Sequence, residues 1–341
     1  MGTLNKSVQA ADQSANKRTG RELLKATETF AVESVSKSWW LVGSTFSLMI
    51  AALIGAGISP WWPLQIALSA FAGLLLVRAF ITYHDYMHRA ILRDSKIAKW
   101  LFRLYAIFAL TPPRSWSKSH NYHHGHVGKI SNRSVGAFPI LTTKMWKVAS
   151  KWQRFQYRFQ RHPLIVLFGY ITIFAYSICL VSLFRNPARH WDSGVVLLGH
   201  AVLVGALWVL GGFSLALFVV LLPVLIASAL GGFLFFAQHS FDQMTILKSR
   251  DWTFDRAALE SSSYMKLNRL MRWFTGNIGY HHIHHLNVRI PFYRLPEAMD
   301  AIPELQSPPT ITLKLKDIIG CFKASLWDEN LQRMVSFRYA E

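Results

Sequence analysis

WWPLQIALSAFAGLLLVRAFITYHDYMH, residues 61–88, is an apolar run that ends in two histidines four residues apart. Its first part, 61–77, carries no charge, and a bilayer core asks for about 20 apolar residues of helix. A second charge-free run, 39–57, precedes it, and Ser59-Pro60 lies between the two as a turn. The pair reads as a helical hairpin over 39–82. The Trp pairs at 39/40 and 61/62 fall near the two ends of the first span, where interfacial aromatics collect. His84 and His88 follow directly. An i, i+4 pair points within about 40° on one helical face, which suits two ligands on one metal.

Composition agrees with a membrane protein. The 341 residues are 52% hydrophobic and 16% charged, whereas soluble domains run near about 25% charged. Two more apolar stretches, 164–184 and 193–237, form a second block. Histidines at both ends of this block belong to one array, so the number of crossings is even. The expected spans are 164–184 and 213–237, with 194–211 at the outer surface and the break at Gly211-Gly212. The expected fold is therefore an all-α integral membrane protein of four long transmembrane helices in two hairpins, under a cytoplasmic helical cap holding a di-metal site. Its parts are a polar tail 1–38, a hairpin 39–82, and a first cap segment 83–162 with an interfacial or re-entrant stretch 100–110. A second hairpin 163–237 and a second cap segment 238–341 follow. The tail has no apolar core of the kind a cleaved signal carries.

Net charge is +19, and its placement matters more than its size. Between Thr82 and His162 there are fifteen Lys/Arg against two acids, Asp85 and Asp94. Loops rich in Lys/Arg face the cytoplasm, which puts the cap and both termini there, in a bacterial inner membrane. No nucleic-acid-binding module accompanies the charge, so lipid headgroups or an acidic protein partner account for it better. The two cysteines, Cys179 and Cys321, suggest neither a disulfide framework nor a thiolate site.

Fourteen histidines occur, and most are clustered. His84-Asp-Tyr-Met-His88 is followed by His120-Asn-Tyr-His123-His124 and by His281-His282-Ile-His284-His285, and His239 ends the last apolar run. Isolated His162, His190 and His200 read as hydrogen-bonded or solvated side chains. Imidazoles packed together without a cation would leave unpaired donors and acceptors. Eight histidines at HxxxH, HxxHH and HxxHH spacing, with His239, are too many for one zinc ion and suit two ions of higher coordination number. Imidazole suits iron, zinc, copper and nickel, and a thiolate-free nitrogen site is compatible with non-haem iron that activates O₂.

The three motifs, in this order and split by paired apolar runs, resemble the histidine boxes of the membrane fatty-acid desaturases and related hydroxylases over about residues 35–300. Gly276-Asn-Ile-Gly-Tyr-His281, and Ile290-Pro-Phe-Tyr293-Arg-Leu295 after the last box, are similar to the acyl-lipid ω-6 (Δ12-type) desaturases. The resemblance implies two irons, O₂ and insertion of a cis double bond into membrane acyl-lipid chains. Carried over residue by residue, the ligands would be His84, His88, His120, His123, His124, His239, His281, His284 and His285. His282 is a weaker candidate from a second register of the last box, and His126 a weaker neighbour of the middle one. Asp85, Asn121, Gln238, Asp242, Asn277 and Asn287 are candidates to hold the outer nitrogens of ligating histidines.

An acyl chain offers no polar handle near the reacting carbon, so position must be measured by a closed apolar tunnel. Trp116, Trp252 and Trp273 are candidate wall residues, with ordinary packing as the plainer reading of each. The electron donor is expected to be a separate protein of ferredoxin or cytochrome b5 type, docked on cap lysines and arginines. A lipid, alkane or carotenoid hydroxylase or ketolase would share the boxes. A polyhistidine metal transporter would instead place ionisable groups inside the spans, where this sequence has Arg78 and His200.

Overall fold

The structure is a computed structural model that describes residues 17–130 and 138–340. Helices Val35–Ile58 and Trp62–Met87 pack against each other as a helical hairpin. At the turn the Ser59 hydroxyl accepts the Trp61 N–H at 3.2 Å. Pro63 lies in the first turn of the second helix, where no intrahelical hydrogen bond is lost. Val42, Phe46, Met49, Ala52 and Ala56 recur at helical spacing on the buried face of the first helix, which packs on the second. The second helix packs in turn on Leu222–Ala237. A Cβ at Gly73 would lie 2.9 Å from Ile226 and 3.0 Å from the Pro223 carbonyl oxygen, so two backbones meet where only glycine fits. The hairpin thus has a turn end, at Ser59-Pro60, and a histidine end, at His84.

The second apolar block is distributed differently from the expectation. Helix Trp191–Ala216 begins at the histidine end. There the Asp192 carboxylate accepts the Arg114 N–H at 2.7 Å, and the Ser115 hydroxyl bonds both His190 and Ser193. The helix finishes at the turn end, where a Cβ at Gly57 would lie 3.1 Å from Leu215, and where the Ser69 hydroxyl donates to the Phe218 carbonyl. Gly211 (φ −142°) and Gly212 (φ +75°) break the helix there, the second in the left-handed region that glycine adopts freely. The chain then returns through Leu217–Leu221 and Leu222–Ala237.

Segment 194–211, expected at the outer surface, therefore runs the length of the hairpin. The stretch expected to cross, 164–184, does not reach the turn end. It is built from Pro163–Leu167, Tyr170–Val181 and Ser182–Arg185, with wide i→i+5 winding in the middle piece. Its start packs on Gly232 through Val166, and its end packs on Gly194 through Leu183. Cys179 lies against the Leu110 carbonyl. The physical reason is the set of polar anchors at residues 190–193, which hold that end beside the middle histidine box. Apolar length alone cannot register such anchors.

Stretch 100–110 falls in helix Lys96–Ala109. Phe102 and Tyr105 are buried against Phe46 and Tyr83, and the Tyr105 hydroxyl donates to the Leu76 carbonyl at 3.3 Å. Ile97, Trp100 and Leu104 remain exposed on the opposite face.

The cap corrects the all-α expectation in one respect. Short strands Leu141–Thr142, Leu326–Asp328 and Arg333–Val335 make one small sheet, and Tyr264–Lys266 pairs in parallel with Thr310–Thr312 in another. Of the polar tail, residues 1–16 lie outside the described residues, and the rest is docked. Helix Gly20–Thr27 buries Leu23, Arg18 bonds Glu304 at 2.8 Å, and Asn287 donates to Thr27 at 2.8 Å. Helix Arg269–Phe274, in the second cap segment, lies along the long helix Trp62–Met87. Phe274 packs edge-on against Phe71, and Arg78 donates to the Trp273 carbonyl while stacking on the Trp273 ring.

Candidate metal centre

Four pieces of chain converge at the histidine end. His84 lies in the last turn of Trp62–Met87, and His88 caps it. Helix Pro113–His126 carries His120, His123 and His124 on one side. His239 follows Leu222–Ala237 by two residues, and helix His281–Leu286 carries the last box. The nine histidines fall into two groups. His84, His88, His120, His124 and His284 form one, and His123, His239, His281 and His285 the other. All nine are buried, and within each group the ligand nitrogens lie within 4.8 Å of one another.

The contacts inside the groups are not hydrogen bonds. The Nε2 of His239 faces the Nε2 atoms of His281, His123 and His285 at 2.8, 3.0 and 3.2 Å. The Nε2 of His120 faces those of His84 and His124, each at 3.0 Å. A neutral ring nitrogen is one donor or one acceptor, so it cannot satisfy two or three other ring nitrogens at once. One cation at the centre of each group satisfies all of them. Nitrogens about 2.1 Å from a metal are separated by about 3.0 Å at right angles and about 3.4 Å in a tetrahedron, so these spacings suit more than four ligands per ion. The Nε2 of His88 is enclosed and has no hydrogen-bond partner among the described residues, as expected of a lone pair directed at a cation. The donor set fits two nitrogen-ligated metal ions.

Burial keeps these rings neutral. It holds the imidazoles of His120, His123, His124, His281, His284 and His285 well below their ordinary pKa, with neighbouring imidazoles adding to the effect. Burial also pushes His88 and His239 down to about 4. Neutral imidazole is the metal-binding form.

The supporting shell is only partly the one expected. Asp85 accepts from His84 Nδ1 at 3.1 Å with one oxygen and from the Phe292 N–H at 2.6 Å with the other. His239 Nδ1 instead meets a backbone group, the Ser261 carbonyl, at 3.1 Å. A main-chain carbonyl leaves no mark in side-chain spacing, so this partner was not legible. Asn121 reaches Ser117, Gln238 the Ile278 carbonyl, Asn277 the Phe292 carbonyl and Asn287 Thr27. Asp242 is exposed. His282 turns away from both groups to the Leu305 carbonyl at 3.1 Å, and His126 stacks on Tyr122 with its Nδ1 at the Tyr122 carbonyl.

Aromatic rings close one side of the site. Trp116 stacks on His120 at 4.4 Å and meets Phe80 edge-on, while Phe235 lies 5.1 Å from His123. Trp252 donates to the Val127 carbonyl beneath Lys129, and Trp273 lies against Arg78. Arg78 and His200, the ionisable groups inside the apolar runs, are held by Thr45 and by Tyr170 respectively.

Helices long and apolar enough to cross a membrane, with two adjacent all-histidine clusters that could each hold a metal ion, are the features of the histidine-box class of proteins. Comparison with known proteins makes the class specific. The family model for fatty acid desaturases matches residues 59–312, and the chain belongs to that family. It is 31% identical over 323 residues to a fatty acid desaturase of Bacillus subtilis (strain 168), covering 93% of this chain and 91% of that one. It is 25% identical to an sn-1 oleoyl-lipid 12-desaturase of Synechocystis sp. over 81% of this chain and 78% of the other. An sn-1 acyl-lipid omega-3 desaturase (ferredoxin) of Nostoc sp. is 26% identical over 67% and 65%.

Proposed function

We propose that this chain is an O₂-dependent acyl-lipid desaturase that holds two non-haem irons, one in each histidine group, and introduces a cis double bond. The observation that carries this reading is the convergence of Nε2 atoms on two centres, next to a wall of Trp116, Phe80 and Phe235. Two irons bound there would supply, with O₂, two electrons and two protons, the removal of one hydrogen from each of two adjacent methylenes, O₂ being reduced to two waters. The protein's share is placement. The rings of Trp116 and Phe235 present an apolar surface beside His120 and His123, against which a methylene chain loses no hydrogen bond and from which water is displaced. Asp85 keeps His84 in the tautomer with Nε2 free for metal.

The narrower reading is Δ12/ω-6 desaturation, supported by the Ile290-Pro291-Phe292-Tyr293 pattern and by a relative named as a 12-desaturase. An external donor of ferredoxin or cytochrome b5 type is the proposed electron source, and a relative's name specifies ferredoxin. Arg114, Lys118 and Arg189 line a hollow on the face of helix Pro113–His126 that points away from His120 and His123, a suitable contact for an acidic protein. Arg185 and Arg189 also lie in the connection at the histidine end, joining the basic segment 83–162 on one side of the membrane. That distribution supports a multi-pass protein of a bacterial inner membrane with the cap and both termini cytoplasmic.

The test is expression in cells whose membranes hold saturated and monounsaturated lipids, followed by mass spectrometry of the acyl chains. Loss of two mass units, with the new double bond at carbon 12, is the expected product. A bond at another carbon overturns the positional reading alone, and gain of an oxygen establishes the hydroxylase instead.

A further inference from the structure

Helix Lys151–Gln160 turns an aromatic stripe away from the protein, with Tyr157 buried and Arg154 half-buried on its other side. Trp152, Phe155 and Phe159 are 63%, 54% and 51% exposed, and their i, i+3, i+7 spacing puts them within about 60° on one face. They form a stacked ladder, with ring centroids 5.4 Å apart for Trp152–Phe155 and 6.0 Å for Phe155–Phe159. On the other side Tyr157 is buried and donates to the Ser325 carbonyl. Arg154 reaches the carbonyls of Ala149 and Lys147, and the guanidinium groups of Arg154 and Arg158 lie over the Trp146 ring. Arg161, just past the helix, bonds Pro139, Ser240 and Ala324.

In water this arrangement is upside down. Three large rings are exposed, while the Arg154 guanidinium, a group that hydrates readily, is taken up by backbone carbonyls on the protein side. The arrangement is favourable where the surrounding medium is itself partly apolar, and aromatic side chains collect at the headgroup level of bilayers. The stripe is also continuous with a surface of the same kind. Pro163 opens the next helix, and Leu164, Leu167, Phe168 and Ile171 of that apolar segment are exposed in turn.

We infer that Lys151–Gln160 is an interfacial helix, lying in the plane of the bilayer with Trp152, Phe155 and Phe159 inserted into the leaflet at the histidine end. This rests on the membrane reading of the apolar helices. The partner is the lipid surface, and the helix fixes the depth at which the cap sits. Arg161, which follows the helix, bonds Ser240 next to His239, so the inserted helix and the four-histidine group are joined through one guanidinium.

Depth can be measured in the full chain reconstituted into bilayers of phosphatidylethanolamine and phosphatidylglycerol. A nitroxide is attached at Phe155→Cys, with an identically treated parent chain correcting for the buried Cys179 and Cys321. Relaxation by O₂ and by a water-soluble nickel complex then reports depth. The expected result is strong relaxation by O₂ and weak relaxation by nickel, at about 5–10 Å below the phosphates, with the reverse for a label at Gln153→Cys. Labels at Trp152→Cys and Phe159→Cys repeat the reading, so failure of one variant to assemble leaves the test intact. Nickel relaxation at 155 equal to that at 153 overturns the inference. Spin–spin broadening at 155 also overturns it, since a second copy of the chain would then cover the stripe. A label at Val202→Cys, exposed on the helix that runs the length of the hairpin, serves as the control. If it too is water-accessible, the membrane reading itself has failed.

Discussion

The five-histidine and four-histidine groups use the same side chain with different support. In the first, His84 leans on a side chain, the Asp85 carboxylate, which also takes the Phe292 N–H. In the second, His239 leans on the main chain at Ser261. Their origins differ as well. The first group takes four of its five members from the chain before the second apolar block, and the second takes three of its four from after it. The support of His84 is open to substitution, whereas that of His239 is fixed by the path of the backbone.

The largest expected effect removes a member of either group. His284→Ala in the first and His123→Ala in the second should each abolish the unsaturated product, with loss of metal measured by elemental analysis. Full activity in both would break the ligand assignment. Next in size is the contrast in support. Asp85→Asn should weaken metal retention by about 10–100-fold, measured by competition with a chelator. Ser261→Ala keeps the carbonyl and should leave retention unchanged; equal losses in both would erase the distinction between the groups. His282→Asn, which removes the bond to the Leu305 carbonyl, should lower stability by about 1–2 kcal/mol, without changing the metal count. A lost metal equivalent would instead restore His282 to the ligand set.

The smallest effect concerns the docked N-terminal helix. The hydrogen bond from Arg18 lowers the Glu304 carboxyl to about 2. A carboxyl depressed in the folded state contributes stability above its ordinary pKa of about 4.3 and loses it as pH falls toward the folded value. Amide exchange in Gly20–Thr27, corrected for its intrinsic rate, should therefore speed up between pH 5 and pH 2 (about 4.3 to about 2 being the working window). Glu304→Gln should make it insensitive to pH in that range.

What the sequence made legible follows the same division. The first helix pair could be read because two charge-free runs, 39–57 and 61–77, flank Ser59-Pro60. The second block could not, because 193–237 is apolar throughout and can be divided in several ways. Its path is set by Asp192, Ser193 and His190 meeting Arg114 and Ser115, groups that belong to no motif. Within the last box, spacing leaves two registers open, and the turn of His282 toward Leu305 separates it from the metal-facing set. The small sheets consist of strands two or three residues long, too short for an alternating pattern to show.

The mixed parentage of the two groups bears on biosynthesis. The five-histidine group waits for His284, and the four-histidine group for His281 and His285. Chains are made from the N-terminus and fold in that direction, so neither centre is complete until the ribosome has passed the last box. A chain cut short before that point would carry the first helix pair and two histidine boxes, yet neither group complete. Assembly of either group is in this sense a check on synthesis through residue 285.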